Sequence, residues 1–295
     1  KRGVFYESDI GEFDKSNSIQ KLGIQLFIEL MLQAGYPQSQ VRIAELLAQS
    51  SVQYYLDVLG SLLAMYSCAP SGAPGTTYNN SATVLFVFFL AYVLSLSLHL
   101  NISFDEALLR DEVDQFLFLV YICVYGDDLA VALYPKVTEF LKAETIHAVF
   151  LGLGFKLTNA DKSPGIPQFH TDIQKITFLK RSFRPVTFQY TTEDGNQQSI
   201  NTVVAPLEVA STEKMLAFFE DKGNITLDEY LQIVSKEAMI QAFFRGQYEI
   251  QLKFFNELPH DLKSKCRVDL FPTEKELTDQ YCSSLADNKP FTIWV

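Results

Sequence analysis

The sequence predicts an α+β body followed by a mainly helical C-terminal region, with the boundary near residue 205. Three observations predict it. The β-branched and aromatic run Val120-Tyr121-Ile122-Cys123-Val124-Tyr125 breaks at Gly126 onto Asp127 and Asp128, as a buried strand entering a tight turn does. Upstream, Ile19, Leu22, Leu26 and Leu30 recur at helical spacing. Beyond Pro206 helix-start signals dominate, above all the capping box Thr226-Leu227-Asp228-Glu229.

The elements follow in order. Val4-Phe5-Tyr6 opens a short strand ending at Asp9. The helix from Ser16 to Ala34 is stopped by Gly35-Tyr36-Pro37. Residues 38–70 are mixed, with a helix near Val41–Ala48 and a β-rich stretch near Val52–Leu59. Ser71-Gly72-Ala73-Pro74-Gly75 is a loop, and a long apolar helix follows it. Phe116–Leu133 is expected to be a hairpin with the acid pair at its turn. Pro135 suits a helix start, so Pro135–Leu153 is expected to be one helix. Gly154–Leu157 and Ile176–Phe188 read as strands, and Asp194-Gly195 as a turn. The Thr226 capping box, with Ile225 and Tyr230 placed as a hydrophobic staple, starts a helix reaching about Phe244. Further helices are expected over Gln247–Leu258 and after Pro272.

Composition sets the bounds. The chain has 295 residues, 48% hydrophobic and 20% charged, ample for a folded core. Cys68, Cys123, Cys266 and Cys282 form no CxxC pair, and the four histidines are scattered, which argues against zinc. Ala82–Leu100 has the length of a membrane span, but its polar residues Ser95, Ser97 and His99 and the lack of a flanking basic cluster favour a core helix. With 24 basic and 35 acidic residues the net charge is −11, which taken alone argues against nucleic-acid binding.

The acid pair carries the chemistry. Two adjacent carboxylates at a turn between apolar strands repel each other and are costly to desolvate, so a positive partner is required; a divalent cation supplies one. The plain alternative is a hairpin tip in water. Asp9 ends its strand and would sit beside this turn if the two strands pair. Three converging carboxylates suit two magnesium ions. Asp14, five residues after Asp9, taken alone reads as a helix N-cap. The loop from Ser71 through Thr76 to Asn80 feeds a helix whose N-terminus can attract phosphate.

Taken in order, Asp-x4-Asp (9–14), Ser-Gly-x3-Thr-x3-Asn (71–80), Tyr-Gly-Asp-Asp (125–128), Gly-x3-Thr-x2-Asp-Lys (154–162) and Phe-Leu-Lys-Arg (178–181) resemble motifs A to E of the RNA-dependent RNA polymerases of positive-strand RNA viruses. The last two motifs are similar to those of the picornavirus-like group, as is the Ala205-Pro206-Leu207 entry into a helical region. The resemblance implies a right-hand polymerase palm, an antiparallel sheet packed on helices, over 1–205 with a fingers segment near 36–70. It implies a helical thumb over 206–295.

It also implies roles. Asp9 and Asp127 would be metal-binding catalytic carboxylates, with Asp128 supporting the second site, and the cofactor Mg2+, with Mn2+ as a substitute. The metals would activate the primer 3′-hydroxyl and stabilise leaving pyrophosphate. Asp14, Ser71 and Asn80 match readers of the ribose 2′-hydroxyl, with Gly72 and Thr76 in the same nucleotide-binding loop. Lys162 matches the general acid that protonates pyrophosphate. Lys180 and Arg181 match a primer-grip turn that contacts RNA phosphates. Partners would be template and primer or product RNA, ribonucleoside triphosphates and other replication proteins, in the host cytoplasm in membrane-associated complexes, with no transmembrane segment in this chain.

Two other readings compete. A reverse transcriptase shares the Tyr-x-Asp-Asp turn but places a bulky aromatic near the position of Asp14. A non-catalytic polymerase-fold subunit would not need all three carboxylates. The family carries most of its fingers, including a basic triphosphate-gripping motif, upstream of motif A. The fingers are therefore expected in an N-terminal region or separate chain, which would account for the acidic balance.

Overall fold

The computed structural model describes residues 3–11, 17–58, 61–66, 76–192, 194–219, 225–287 and 291. The chain forms two compact units, Lys1–Asp172 and Ile173–Val295. The hairpins between Thr177 and Val204 thus group with the C-terminal helices, and the division lies upstream of the change in character near 205.

In the first unit β1 (Val4–Gly11) precedes two helices, α1 (Asn17–Gln33) and α2 (Gln38–Val52), and a hairpin of β2 (Gln53–Val58) and β3 (Ser61–Tyr66). Helix α3 (Thr76–Leu100) is followed by three short helices, α4 (Phe104–Leu108), α5 (Asp111–Asp114) and α6 (Phe116–Leu119). Then come β4 (Val120–Tyr125), β5 (Asp128–Leu133), α7 (Ala143–Gly152) and β6 (Lys156–Thr158). The strands form one antiparallel sheet in the order β4-β5-β1-β6.

Strand alternation gives this sheet two different faces. Tyr6 and Ile10 of β1 and Leu129, Val131 and Leu133 of β5 are buried against Val84, Val87, Phe88, Ala91 and Tyr92 of α3 and Ile146 and Phe150 of α7 in a single core. The α3 positions fall on one helical stripe, which is why so apolar a helix settles on the sheet. The Tyr92 hydroxyl donates to the Glu112 carbonyl at 2.8 Å, and burial pushes its pKa up to about 12. Residues Asn80–Leu100 are long and apolar enough to cross a membrane; 56% of the most apolar stretch lies inside the fold.

Two sequence expectations change. Phe116–Leu119 is helical rather than the start of the hairpin, because Phe116 and Leu119, three apart, are the pair that reaches the core while Leu117 and Phe118 stay exposed. Pro135–Leu153 is not one helix. A 3-10 turn over Pro135–Glu139 ends before α7 starts at Ala143, and the irregular step between them puts Leu141 in the core.

In the second unit the small hairpin of β7 (Thr177–Phe178) and β8 (Arg181–Ser182) is followed by the longer hairpin of β9 (Arg184–Thr191) and β10 (Gln197–Val204). Among the described residues it continues with α8 (Val209–Ala217), α9 (Leu227–Arg245), α10 (Tyr248–Asn256), α11 (His260–Lys265) and α12 (Glu274–Ala286). Phe188 and Val204 pack on Ala238, Met239 and Phe243 of α9 and on Leu277 and Cys282 of α12. The Thr226–Glu229 capping box forms as the sequence indicates, and the Tyr230 hydroxyl reaches the Met215 and Phe218 carbonyls to tie α9 to the end of α8. The Ala205-Pro206-Leu207 entry is pinned at Leu207, whose N–H donates to Gln241 Oε1 at 2.7 Å and whose carbonyl accepts from Arg245 Nη1 at 2.8 Å. Burial holds the Arg245 pKa below its ordinary value.

Candidate active site

Strands β1 and β5 pair, antiparallel, from Val4–Leu133 to Ser8–Leu129. Asp9 and Asp128 are the residues next to the last pair of that ladder, Asp9 following Ser8 and Asp128 preceding Leu129. Both lie on the sheet face turned away from the α3 core, since their neighbours Ser8 and Leu129 point into it. Tyr125 and Asp128 are partnered in the β4–β5 ladder, and Gly126-Asp127 is the two-residue turn between them. Gly126 has φ +66°, the left-handed conformation such a turn requires and glycine adopts without strain.

Burial differs among the three acids. Asp9 is 6% exposed, Asp128 half-buried and Asp127 exposed. A polar side chain so deeply placed needs a partner, and Lys162 Nζ lies 3.5 Å from Asp9 Oδ2. On the other edge of β1, Asp9 faces Thr158 of β6, whose hydroxyl approaches the Asp9 carbonyl at 3.3 Å. Lys162 itself sits at φ +61°, unusual for a lysine, in a turn closed by its N–H to the Asn159 carbonyl at 2.8 Å. Asn159 Nδ2 donates to Ser163 Oγ at 2.9 Å, and the Ser163 N–H donates to Asp161 Oδ1 at 2.8 Å. The Ser163 hydroxyl and N–H hold the Asp161 carboxyl below its usual range. The Asp-Lys of the fourth motif thus divides its work: Asp161 shapes the turn and Lys162 projects to Asp9.

Helix α3 reaches the acid turn directly. The Gly126 N–H donates to Ser81 Oγ at 2.9 Å, and the Ser81 hydroxyl donates to the Thr77 carbonyl at 2.7 Å. Asn80, the half-buried neighbour of Ser81, therefore stands at the end of α3 nearest the turn. Thr76 is the first residue of that helix. Asp14, Ser71 and Gly72 lie outside the described residues. Lys180 and Arg181 belong to the second unit. Leu179 and Lys180 form a tight turn with φ +53° and +59°, and Arg181 Nη1 donates to the Ala205 carbonyl at 2.8 Å.

Sequence reasoning missed Ser81 and the direct Lys162–Asp9 pairing. The available signal for Ser81 was its place immediately after Asn80. Among the described residues no three acidic, histidine or cysteine side chains are drawn together closely enough to hold a metal ion. The donor types still suit a hard divalent cation: the carboxylates of Asp9, Asp127 and Asp128 supply oxygen, the first of them buried with the Lys162 Nζ 3.5 Å away.

A family model described as viral RNA-dependent RNA polymerase matches residues 1–252. The chain belongs to that family. It is 23% identical over 244 residues to Polyprotein-FSD of Solenopsis invicta virus 3, a match covering 80% of this chain and 6% of the polyprotein. It is 24% identical over 165 residues to the RNA1 polyprotein of Tomato ringspot virus (isolate raspberry), covering 52% of this chain and 7% of that protein. The chain therefore spans a small part of the curated relatives it matches. The polymerase family generally uses divalent metal ions, and its members synthesise RNA on an RNA template.

Proposed function

We propose that this chain carries the catalytic centre of template-directed RNA synthesis in viral genome replication and transcription, transferring nucleotides from ribonucleoside triphosphates to an RNA 3′-hydroxyl. One observation supports the reading: β1, which carries Asp9, pairs antiparallel with β5, the strand that leaves the Gly126-Asp127-Asp128 turn, in a chain of this family. In this reading residues 1–205 are the palm, with a fingers segment near 36–70, and 206–295 the helical thumb.

Asp9, Asp127 and Asp128 would hold the divalent cations, Mg2+ foremost, whose chemistry when bound is activation of the 3′-hydroxyl and neutralisation of the leaving pyrophosphate. Asn80, with Asp14 and Ser71, engages the ribose 2′-hydroxyl, a group that both donates and accepts. Gly72 and Thr76 complete the nucleotide loop. Lys162 donates a proton to pyrophosphate from its Nζ, beside Asp9. Lys180 and Arg181 bind RNA backbone phosphate, Lys180 with the freer side chain because Arg181 already bonds Ala205. Partners are the template and product RNA, a basic fingers-bearing region or chain, and other replication proteins, assembled in cytoplasmic complexes at host membranes.

Primer extension by Asp127→Asn tests the reading. Incorporation is expected to be abolished while the thermal midpoint stays near wild type; undiminished incorporation would remove the metal assignment. A parallel comparison of ribo- and 2′-deoxyribonucleotides separates this function from reverse transcription. Asn80→Ala should lower the preference for ribonucleotides roughly five- to tenfold, the net worth of one hydrogen bond, and a wild-type preference for deoxyribonucleotides would overturn the substrate class.

A further inference from the structure

The Gly126–Asp127 turn is held in an unusual way. A Cβ placed on Gly126 would find nothing within 4 Å, so the path of the chain there is set through its backbone. A hydroxyl 45 residues away in sequence reaches the turn from outside the hairpin: Ser81 Oγ accepts the Gly126 N–H at 2.9 Å. The direction of that bond is set by the helix. Ser81 spends its own proton on the Thr77 carbonyl at 2.7 Å, so a lone pair is left facing the turn. Gly126 is buried, and without Ser81 its N–H would lose that acceptor in a place water reaches poorly.

We propose that Ser81 is a positioning residue for the metal-binding turn. Through Gly126 it sets the path of the chain into Asp127 and Asp128 and holds both carboxylates in register with Asp9. It touches neither substrate nor metal. It also makes the N-terminal part of α3, which carries Asn80, and the acid turn a single mechanical unit, so the ribose reader and the metal carboxylates keep a constant spacing. The inference rests on the proposed assignment of the carboxylates to divalent cations.

The test is a direct measurement of cation binding. Mn2+ is titrated calorimetrically into the full chain, without RNA, for wild type, Ser81→Ala, Ser81→Thr and Asp127→Asn. Loss of a group that orients metal ligands costs about 10- to 100-fold in metal affinity, so Ser81→Ala should bind Mn2+ at least tenfold more weakly. Ser81→Thr keeps the hydroxyl and should recover most of the affinity. In single-nucleotide extension the half-saturating Mg2+ concentration of Ser81→Ala should rise by a similar factor, with little change in nucleotide KM. Should Ser81→Ala fail to fold, Ser81→Cys keeps the volume with a far weaker acceptor and must show the same loss. Wild-type Mn2+ affinity in Ser81→Ala or Ser81→Cys, or a Ser81→Thr as impaired as alanine, overturns the proposal. Asp127→Asn separates the two levels. If it binds Mn2+ as wild type does, the metal assignment itself has failed; if it loses binding while Ser81→Ala keeps it, only the role of Ser81 has failed.

Discussion

At the scale of single residues, the deciding contact is Lys162 with Asp9. A lysine at a turn tip is ordinarily a solvated charge, and this one is largely exposed, yet its ammonium lies 3.5 Å from a carboxylate that is itself buried. Two roles fit that geometry: neutralising Asp9, or donating a proton to the leaving group as proposed. Substitution separates them. Lys162→Met removes both and should slow nucleotide addition about 10²- to 10⁴-fold, the range general acids contribute. Lys162→Arg keeps the charge but cannot release a proton at accessible pH. Pre-steady-state extension should therefore find arginine nearly as slow as methionine; an arginine variant at wild-type rate would reduce Lys162 to a charge partner. The acids at this site were legible in the sequence because Gly-Asp-Asp between apolar strands is costly without a cation. Ser81 was not, since a serine on a helix reads as solvated or bonded to its own backbone until the fold brings Gly126 to it.

At the scale of elements, the second unit depends on how α9 begins and ends. Its start was readable from four residues. Glu229 accepts from the Thr226 N–H and hydroxyl, which hold its pKa below the ordinary 4.5. A depressed carboxylate pKa contributes stability that is fully present above about pH 4.5 and lost as pH falls through the lower folded value. Thr226→Ala should cost about 1 kcal/mol at neutral pH. The gap in thermal midpoint between wild type and Glu229→Gln should shrink as the pH is lowered toward 3, measured by circular dichroism. The far end was less legible. Gly246 takes φ +72°, and a Cβ there would meet the Arg184 guanidinium at 2.8 Å, which donates to the Phe244 carbonyl at 3.0 Å. Gly246→Ala should destabilise by about 1–2 kcal/mol from the left-handed backbone alone, more if Arg184 must move; unchanged stability in urea titration would contradict the cap. The helices misjudged from sequence failed for a related reason. Phe116–Leu119 is apolar at every position, so neither a strand nor a helical period stands out, and only its fit to the core decides.

At the scale of the whole molecule, charge is the unresolved tension and also the sharpest constraint. The proposed function requires holding a polyanion, yet this chain carries a net charge of −11. The acids are not confined to the site. Asp105, Glu106, Asp111, Glu112 and Asp114 lie on α4 and α5, where Glu106 closes a capping box and Glu112 is held by Arg110. Electrostatic attraction for RNA grows with the number of phosphates neutralised by lysine and arginine, and each such contact steepens the salt dependence by nearly one unit of slope. The proposed primer-grip pair Lys180 and Arg181 supplies two at most, and Arg181 is already engaged with Ala205. The 295 residues alone should therefore bind a primer–template duplex weakly and with a shallow salt slope, near one to two. The chain covers 6% and 7% of the polyproteins it resembles, and the comparison to make is with these residues joined to, or combined with, the proposed basic fingers-bearing region. Fluorescence anisotropy at several salt concentrations should show that combination binding more tightly and with a slope steeper by several units, the signature of a basic region absent from these residues. Equal affinity and slope, or full primer-extension activity from the 295 residues by themselves, would mean that the acidic unit grips RNA with its own scattered cations, and the proposed fingers region would lose its purpose.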